Sequence, residues 1–177
     1  MILFTADTHF GHGGARALYR RPFATTEEAD ASMVARWNER VGPDDEVWHL
    51  GDVALGPKPE AVDAFLARLR GRKHLVRGNN DGDAICALPV WASVRDLATL
   101  EVDGVLVTLC HYALRTWPGQ GRGGVNLHGH SHGRLKPLPR QFDVGVDARE
   151  FRPVTLEDLR SGSARRESRL GSRPGRR

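Results

Sequence analysis

The 177-residue sequence is short of cysteine and of long apolar runs, and each shortage removes a class of protein. Two cysteines, Cys86 and Cys110, cannot build a disulfide framework and suit a reducing, cytoplasmic setting. The longest apolar run, Gly104 to Leu109, falls far short of the roughly 20 residues that a membrane-spanning helix needs. The opening Met1-Ile2-Leu3-Phe4-Thr5-Ala6 has no basic segment and runs straight into Asp7, so it does not read as a secretory signal. No internal repeat is present. A secreted, membrane-embedded or disulfide-stapled protein is not expected.

What is present suits one domain. Apolar residues make up 40% and glycine contributes 20 positions, enough for a core without compositional disorder. The net charge of +4 is unevenly placed. Residues 160–177 hold seven arginines against Glu167, about +6, so residues 1–159 are mildly acidic at about −2. The sequence therefore divides into a folded domain, 1–159, and a disordered Arg-rich tail, 160–177, with little to bury. Such a tail can contact nucleic acid through phosphates, or simply solubilise the end of the chain.

Hydropathy patterning gives the order of elements. Residues 1–6 read as a strand. A helix beginning near Thr25 or Thr26 repeats Met33, Val34, Trp37 and Val41 on one face, and another after Pro59 repeats Val62, Phe65, Leu66 and Leu69. Residues 46–50 and 74–76 read as buried strands between and after them. This alternation predicts an α/β fold with parallel strands. Beyond it, Leu97 to Val102 and Val105 to Cys110 flank Asp103-Gly104, a type I′ hairpin signal. Short strands at 125–128 and 142–146 and a helix capped by Thr155 complete the chain, so the second half is expected to be mostly antiparallel.

Histidine and aspartate gather just after these strands. Asp7-Thr8-His9 follows the first, Gly51-Asp52 the second and Gly78-Asn79-Asn80-Asp81 the third. His111 ends the hairpin's return strand, and Gly129-His130-Ser131-His132 follows residue 128. Layered α/β folds bind ligands at the carboxyl ends of strands. Carboxylate, imidazole and amide oxygens together suit Mn²⁺, Fe or Zn²⁺. Each motif alone is weak; five in order are not.

In these blocks the sequence resembles the calcineurin-like metallophosphoesterases, over roughly residues 1–150, and the match to their small, cap-free bacterial members is close. Phe10-Gly11-His12 and Arg152-Pro153-Val154 add to the likeness. The resemblance implies a four-layer α-β-β-α sandwich with a two-metal site at its edge. It implies Asp7, His9 and His132 around one divalent ion and Asn79, His111 and His130 around the other. Asp52 would bridge both, with a shared hydroxide attacking phosphorus in line. Mn²⁺ is the foremost ion, and Fe, Zn²⁺ or Ni²⁺ also suit.

One position departs from the family. The usual Gly-Asn-His-Asp carries a histidine thought to protonate the leaving oxygen, and here Asn80 replaces it. An amide only donates hydrogen bonds, so Asn80 is expected to hold a phosphate oxygen. The resemblance then implies a preference for phosphodiesters. His12 is a candidate replacement acid, and Asp81 is expected to anchor its loop. Arg77, Arg115 and Arg122 are candidate phosphate clamps. Trp117 is read as a loop anchor rather than a base-stacking ring, Cys110 as a core residue, and His49, His74 and His128 as structural. The expected substrate is a small phosphate ester or nucleotide. Alternatives are a nuclease-type phosphodiesterase assisted by the tail, or a non-catalytic scaffold of the same fold. No membrane partner is expected, and the chain is read as a monomer or homodimer.

Overall fold

Three strands carry apolar residues at consecutive positions, Leu3-Phe4, Val47-Trp48 and Leu75-Val76, as a sheet covered on both faces requires. In the computed structural model, which describes residues 1–161, they form β1 (Ile2–Thr5), β2 (Glu46–His49) and β3 (Arg72–Val76). With β4 (Trp91–Arg95) they make a parallel sheet in the order β1-β2-β3-β4. Leu3, Val47 and Leu75 pack on Met33, Val34, Trp37, Val62 and Leu66. These belong to α2 (Thr26–Arg40) and α3 (Pro59–Ala67). Phe4, Trp48 and Val76 face the opposite way, onto Ala98, Val107, Leu109, Val125 and Leu127 of a second sheet.

That sheet runs β5 (Leu97–Val102), β6 (Val105–Cys110), β7 (Val125–His128) and β8 (Gln141–Asp143), in that order. Asp103 and Gly104 both have positive φ, 51° and 73°, and Val102 faces Val105 across the turn, as the type I′ hairpin requires. The remaining pairings correct the expectation of a mostly antiparallel half: β6–β7 and β7–β8 are parallel. The segments 111–124 and 129–140 between them are long enough to carry the chain back for a parallel return. Strand β8 stops at Asp143 instead of 146, and the chain turns through a bridge between Ala6 and Gly145 into a 3₁₀ turn at Val146–Ala148.

The outer face of this sheet carries Thr108 and Asn126, both buried. Segment 112–124, with one 3₁₀ turn at Gln120–Arg122, lies over it: Asn126 Oδ1 accepts from Leu114 N at 3.2 Å. The four-layer sandwich is thus present, its last layer reduced to coil and a single turn. Trp117 anchors this segment, buried and donating from Nε1 to the Gly124 carbonyl at 2.9 Å. Cys110 shares the outer face and is half-buried, so it is not the core residue expected; Val107 and Leu109 point inward instead. Two short helices, α1 (Ala15–Tyr19) and α4 (Asp83–Cys86), complete the picture and are too brief to show periodicity.

Thr155 starts α5 (156–161) by accepting from Asp158 N at 3.2 Å. This helix takes in the first two residues of the expected tail, and residues 162–177 lie outside the described residues. Among the described residues, no helix is long and apolar enough to cross a membrane.

Thr25 caps α2 by accepting from Glu28 N at 3.1 Å, while Glu28 Oε2 accepts from Ala24 N at 2.7 Å. One turn on, Asp30 is buried and accepts from Gly11 N at 3.0 Å, beside a groove of about 440 Å³ between α2 and α3. Burial pushes its carboxyl up to about 6, so the folded chain holds a proton there that the unfolded chain, near 3.8, has lost. Stability therefore falls as pH rises through that window. Asp30→Asn keeps the acceptor and removes the charge. The variant should melt a few degrees higher at pH 7.5, about 1 kcal/mol after allowing for solvent screening. The advantage should vanish by pH 4, which thermal melts at both pH values measure.

Candidate metal centre

Six strand ends meet at one edge of the sandwich. Backbone bonds join them: Asp7 N to Gly51 O at 2.9 Å, His9 N to Asp52 O at 3.1 Å, Gly129 N to His111 O at 3.0 Å and Val146 N to Ala6 O at 3.0 Å. His130 N donates to Asp7 Oδ1 at 3.1 Å, tying the first sheet's loop to the second's. The chain turns sharply to do this. Asp7, His9, Asp52, His130 and His132 have φ between 49° and 63°, five of the ten non-glycine residues with positive φ among those described. Such strain persists where surroundings over-determine it, typically at functional sites.

The structure gathers side chains into two groups. Asp7, His9 and His132 form one, and Asp52, His111 and His130 the other, each with its donor atoms within 4.8 Å of one another. Asp52 stands between them, Oδ2 3.7 Å from His9 Nε2 and Oδ1 3.6 Å from His111 Nε2. Asn79 Oδ1 lies 3.1 Å from His111 Nε2, so it belongs to the second group. All seven residues expected around the ions are brought together.

These groups have the chemistry of a cation site. Asp7 Oδ2 and both His9 nitrogens are buried without a hydrogen-bond partner, an arrangement that costs free energy unless something else satisfies them. Burial, with Asp143, Asp52 and Asp147 adding repulsion, pushes the Asp7 carboxyl well above its usual range. Burial likewise holds His9 down at about 3, leaving a neutral ring with one nitrogen lone pair free to ligate. A divalent cation would supply the missing partner to both, so the residues fit one. His111 Nδ1 donates to the Leu50 carbonyl at 2.7 Å, which fixes its tautomer and leaves Nε2 free to ligate.

The remaining candidates fall into place around this core. Asp81 accepts from Asp52 N, Val53 N and Gly78 N at 2.8, 2.9 and 2.8 Å, so it clamps two strand-end loops together. Asn80 differs from its expected phosphate-binding role: its Nδ2 donates to Asp52 Oδ2 at 2.6 Å and its N to Oδ1 at 2.9 Å. It orients the shared carboxylate. His12 lies with its ring centroid 5.7 Å from His9, and burial, then Arg21, holds it below the ordinary imidazole range. Arg77 donates to the Asp81 carbonyl at 2.9 Å and to Asp83 at 2.7 Å instead of reaching into the site. Arg115 and Arg122 are exposed and have no ion-pair partner among the described residues. His49 pairs with Thr8 Oγ1 at 3.0 Å, behind the first motif, and His74 pairs with Ser93 Oγ at 2.8 Å.

Sequence reasoning missed several neighbours. Arg21 and Asp147 form a buried ion pair against the first group, at 2.9 Å, and Asp147 Oδ2 accepts from His132 Nδ1 at 2.7 Å. Burial alone would raise the Asp147 carboxyl, but the His132 and Arg21 bonds outweigh it and hold it below its usual range. Asp143 accepts from Ser131 Oγ at 3.0 Å and Gly133 N at 2.7 Å, fixing the His130–His132 loop. The chain's only two tyrosines stand on opposite sides: Tyr19 stacks on His132 at 3.5 Å between centroids, and Tyr112 packs on His130 at 4.7 Å. The signal available was the rule already applied to five strand ends. Extended to the sixth, after β8, it selects Asp143 and Asp147.

Known proteins resemble this chain in sequence and in fold. The calcineurin-like phosphoesterase superfamily domain matches residues 1–141. The Gene 66 protein of Mycobacterium phage L5 is 40% identical, over 82% of this chain and 86% of its own. The Gene 66 protein of Mycobacterium phage D29 is 31% identical, over 83% and 88%. The protein of unknown function AQ665 from Aquifex aeolicus shares the fold, with a TM-score of 0.74 at 21% identity over 89% of this chain and 96% of its own. With most of its length matched and phage relatives above 30% identity, the chain belongs to the calcineurin-like phosphoesterase superfamily.

Proposed function

We propose that this metal-dependent phosphoesterase hydrolyses phosphodiesters in preference to monoesters, with Asp7, His9 and His132 around one divalent ion and Asn79, His111 and His130 around a second. Asp52 reaches both groups. The donors are oxygen and imidazole nitrogen with no thiolate, a set that suits Mn²⁺. Bound divalent ions supply neutralisation of phosphoryl oxygens and a water acidified toward neutral pH. The chain's own residues hold the geometry in which that happens. Asn80 and Asp81 fix the Asp52 loop, and the Leu50 carbonyl sets the His111 tautomer.

The observation that carries the diester preference is Asn80. Its amide faces Asp52 and cannot deliver a proton, and burial, then Arg21, holds His12 below the ordinary imidazole range. A missing general acid costs about 10²–10⁴-fold and bears most on poor leaving groups. Arg77, the expected clamp nearest the site in sequence, is already bonded to its own loop, so a dianionic monoester gains no free guanidinium there. Kinetics with Mn²⁺ on bis-p-nitrophenyl phosphate and p-nitrophenyl phosphate test this. The diester should show the higher kcat/KM, and Asn80→His should raise the monoester rate by roughly tenfold or more. A wild-type preference for the monoester contradicts the reading.

A further inference from the structure

Resting on that reading of Asp7, His9 and His132, we propose that Arg21 and Asp147 are positioning residues that make this group the tighter of two divalent-cation sites. The group of Asp52, Asn79, His111 and His130 is then the weaker, exchangeable one. The asymmetry lies in what holds each set of ligands before any ion arrives.

Arg21 is an extended fork with a side chain only 1% exposed. Nη1 donates to the Thr8 carbonyl at 2.8 Å and Nη2 to the Asp7 carbonyl at 2.7 Å, gripping the backbone of the first motif. Nε and Nη2 donate to Asp147 Oδ1 and Oδ2 at 2.9 and 3.0 Å. Asp147 Oδ2 in turn accepts from His132 Nδ1 at 2.7 Å. A carboxylate only accepts, so Nδ1 carries the hydrogen and Nε2 keeps its lone pair for a metal. One arginine thereby fixes two motifs that are 123 residues apart, Asp7-Thr8-His9 directly and His132 through Asp147. Tyr19 stacks on the His132 ring, 10° from parallel, and stacks on His9 at 5.3 Å. Arg134 donates to the Leu18 carbonyl at 2.6 Å and so holds the end of α1 that carries Tyr19.

The second group is held only in part. Asp81 clamps the loops of Asp52 and Asn79, Asn80 bonds the Asp52 carboxylate and Tyr112 packs on His130 at 4.7 Å. Among the described residues, however, no carboxylate or carbonyl backs the His130 ring as Asp147 backs His132. His130 and Asn79 are exposed, and the ring nitrogens of His130 have no hydrogen-bond partner among the described residues. Of its two histidines only His111 is tied to the backbone by a ring hydrogen bond, to Leu50. Ligands already held in the right tautomer and rotamer lose less freedom on binding, and outer partners of ligating histidines typically contribute 10–100-fold in metal affinity.

Calorimetric titration of the full-length, metal-stripped chain with Mn²⁺ tests this. The wild type should bind two ions in separable steps. Asp147→Asn should weaken the tighter step by about 10–100-fold and leave the weaker within about threefold. Because this change leaves the Arg21 charge buried without its full partner, the variant is at risk of unfolding. The wild type supplies a second readout: in the Zn²⁺-loaded chain, ¹⁵N NMR should show His132 as the Nδ1–H tautomer with Nε2 shifted by metal. Two unchanged steps in a folded Asp147→Asn, or His132 in the Nε2–H tautomer, overturn the proposal while the two-metal reading stands. A wild type that binds no Mn²⁺ overturns both.

Discussion

Asp52→Ala is expected to lower phosphoesterase kcat by about 10³-fold or more while changing the melting temperature little. The two consequences separate because the backbone and side chain of Asp52 do different things. Its N–H is held by Asp81 at 2.8 Å, so the loop keeps its place when the side chain goes. Its carboxylate contacts only Asn80 by hydrogen bond, and otherwise lies 3.6–3.7 Å from His111 and His9. If the carboxylate that stands between the two groups reaches both ions, its loss removes several kcal/mol of transition-state charge stabilisation, and each 1.36 kcal/mol is about tenfold in rate. Relief of repulsion from buried Asp7 offsets the lost Asn80 bonds in stability. A variant within tenfold of wild type, assayed with saturating Mn²⁺, contradicts the bridging role.

Gly51→Ala should damage stability and activity together. Gly51 has a φ of 90°, and an added Cβ would sit 2.5 Å from Gly78 Cα and N and 2.8 Å from His111 Nδ1. Backbone lies on one side and a histidine hydrogen-bonded to Leu50 on the other, so neither neighbour yields cheaply. The strained φ costs about 1–3 kcal/mol and the overpacking about 1–3 kcal/mol. For a chain of this size that is a fall in Tm of roughly 10 °C. The rate should fall as well, because relief of the clash means moving the Asp52 loop away from Asp81 and Gly78. Gly121→Ala, where an added Cβ meets nothing within 4 Å, should stay within about 0.5 kcal/mol of wild type. Differential scanning calorimetry of both variants beside diester kinetics measures the contrast. A Gly51→Ala chain as stable and active as Gly121→Ala would falsify the close-approach account.

Much of this was legible in the sequence because the informative signals are local. Helix periodicity found Met33, Val34, Trp37, Val62 and Leu66, all of which face the first sheet. Asp103-Gly104 marked its hairpin through two positive φ values that few other pairs adopt. The ligand motifs could be read because each follows a strand, and a glycine precedes three of them, at Asp52, Asn79 and His130. What escaped reading depends on partners distant in the chain. Whether β7 pairs parallel or antiparallel to β6 is decided by the path of segment 111–124, which no residue within β7 encodes. The direction of the Asn80 amide follows from where Asp52 is placed by Asp81, 29 positions away. Arg21 and Asp147 lie 126 positions apart and carry no motif. The arginine sits in Arg20-Arg21-Pro22, where nothing local distinguishes a buried fork from a surface charge.

Whether the distant strand ends hold two cations in one site can be seen by locating the ions. Anomalous diffraction at the manganese edge from crystals soaked in Mn²⁺ addresses it most directly. The account predicts two peaks per chain, one among Asp7, His9 and His132 and one among Asn79, His111 and His130, with Asp52 touching both. A single peak away from Asp52, or none while the imidazoles and carboxylates keep the arrangement described above, contradicts it.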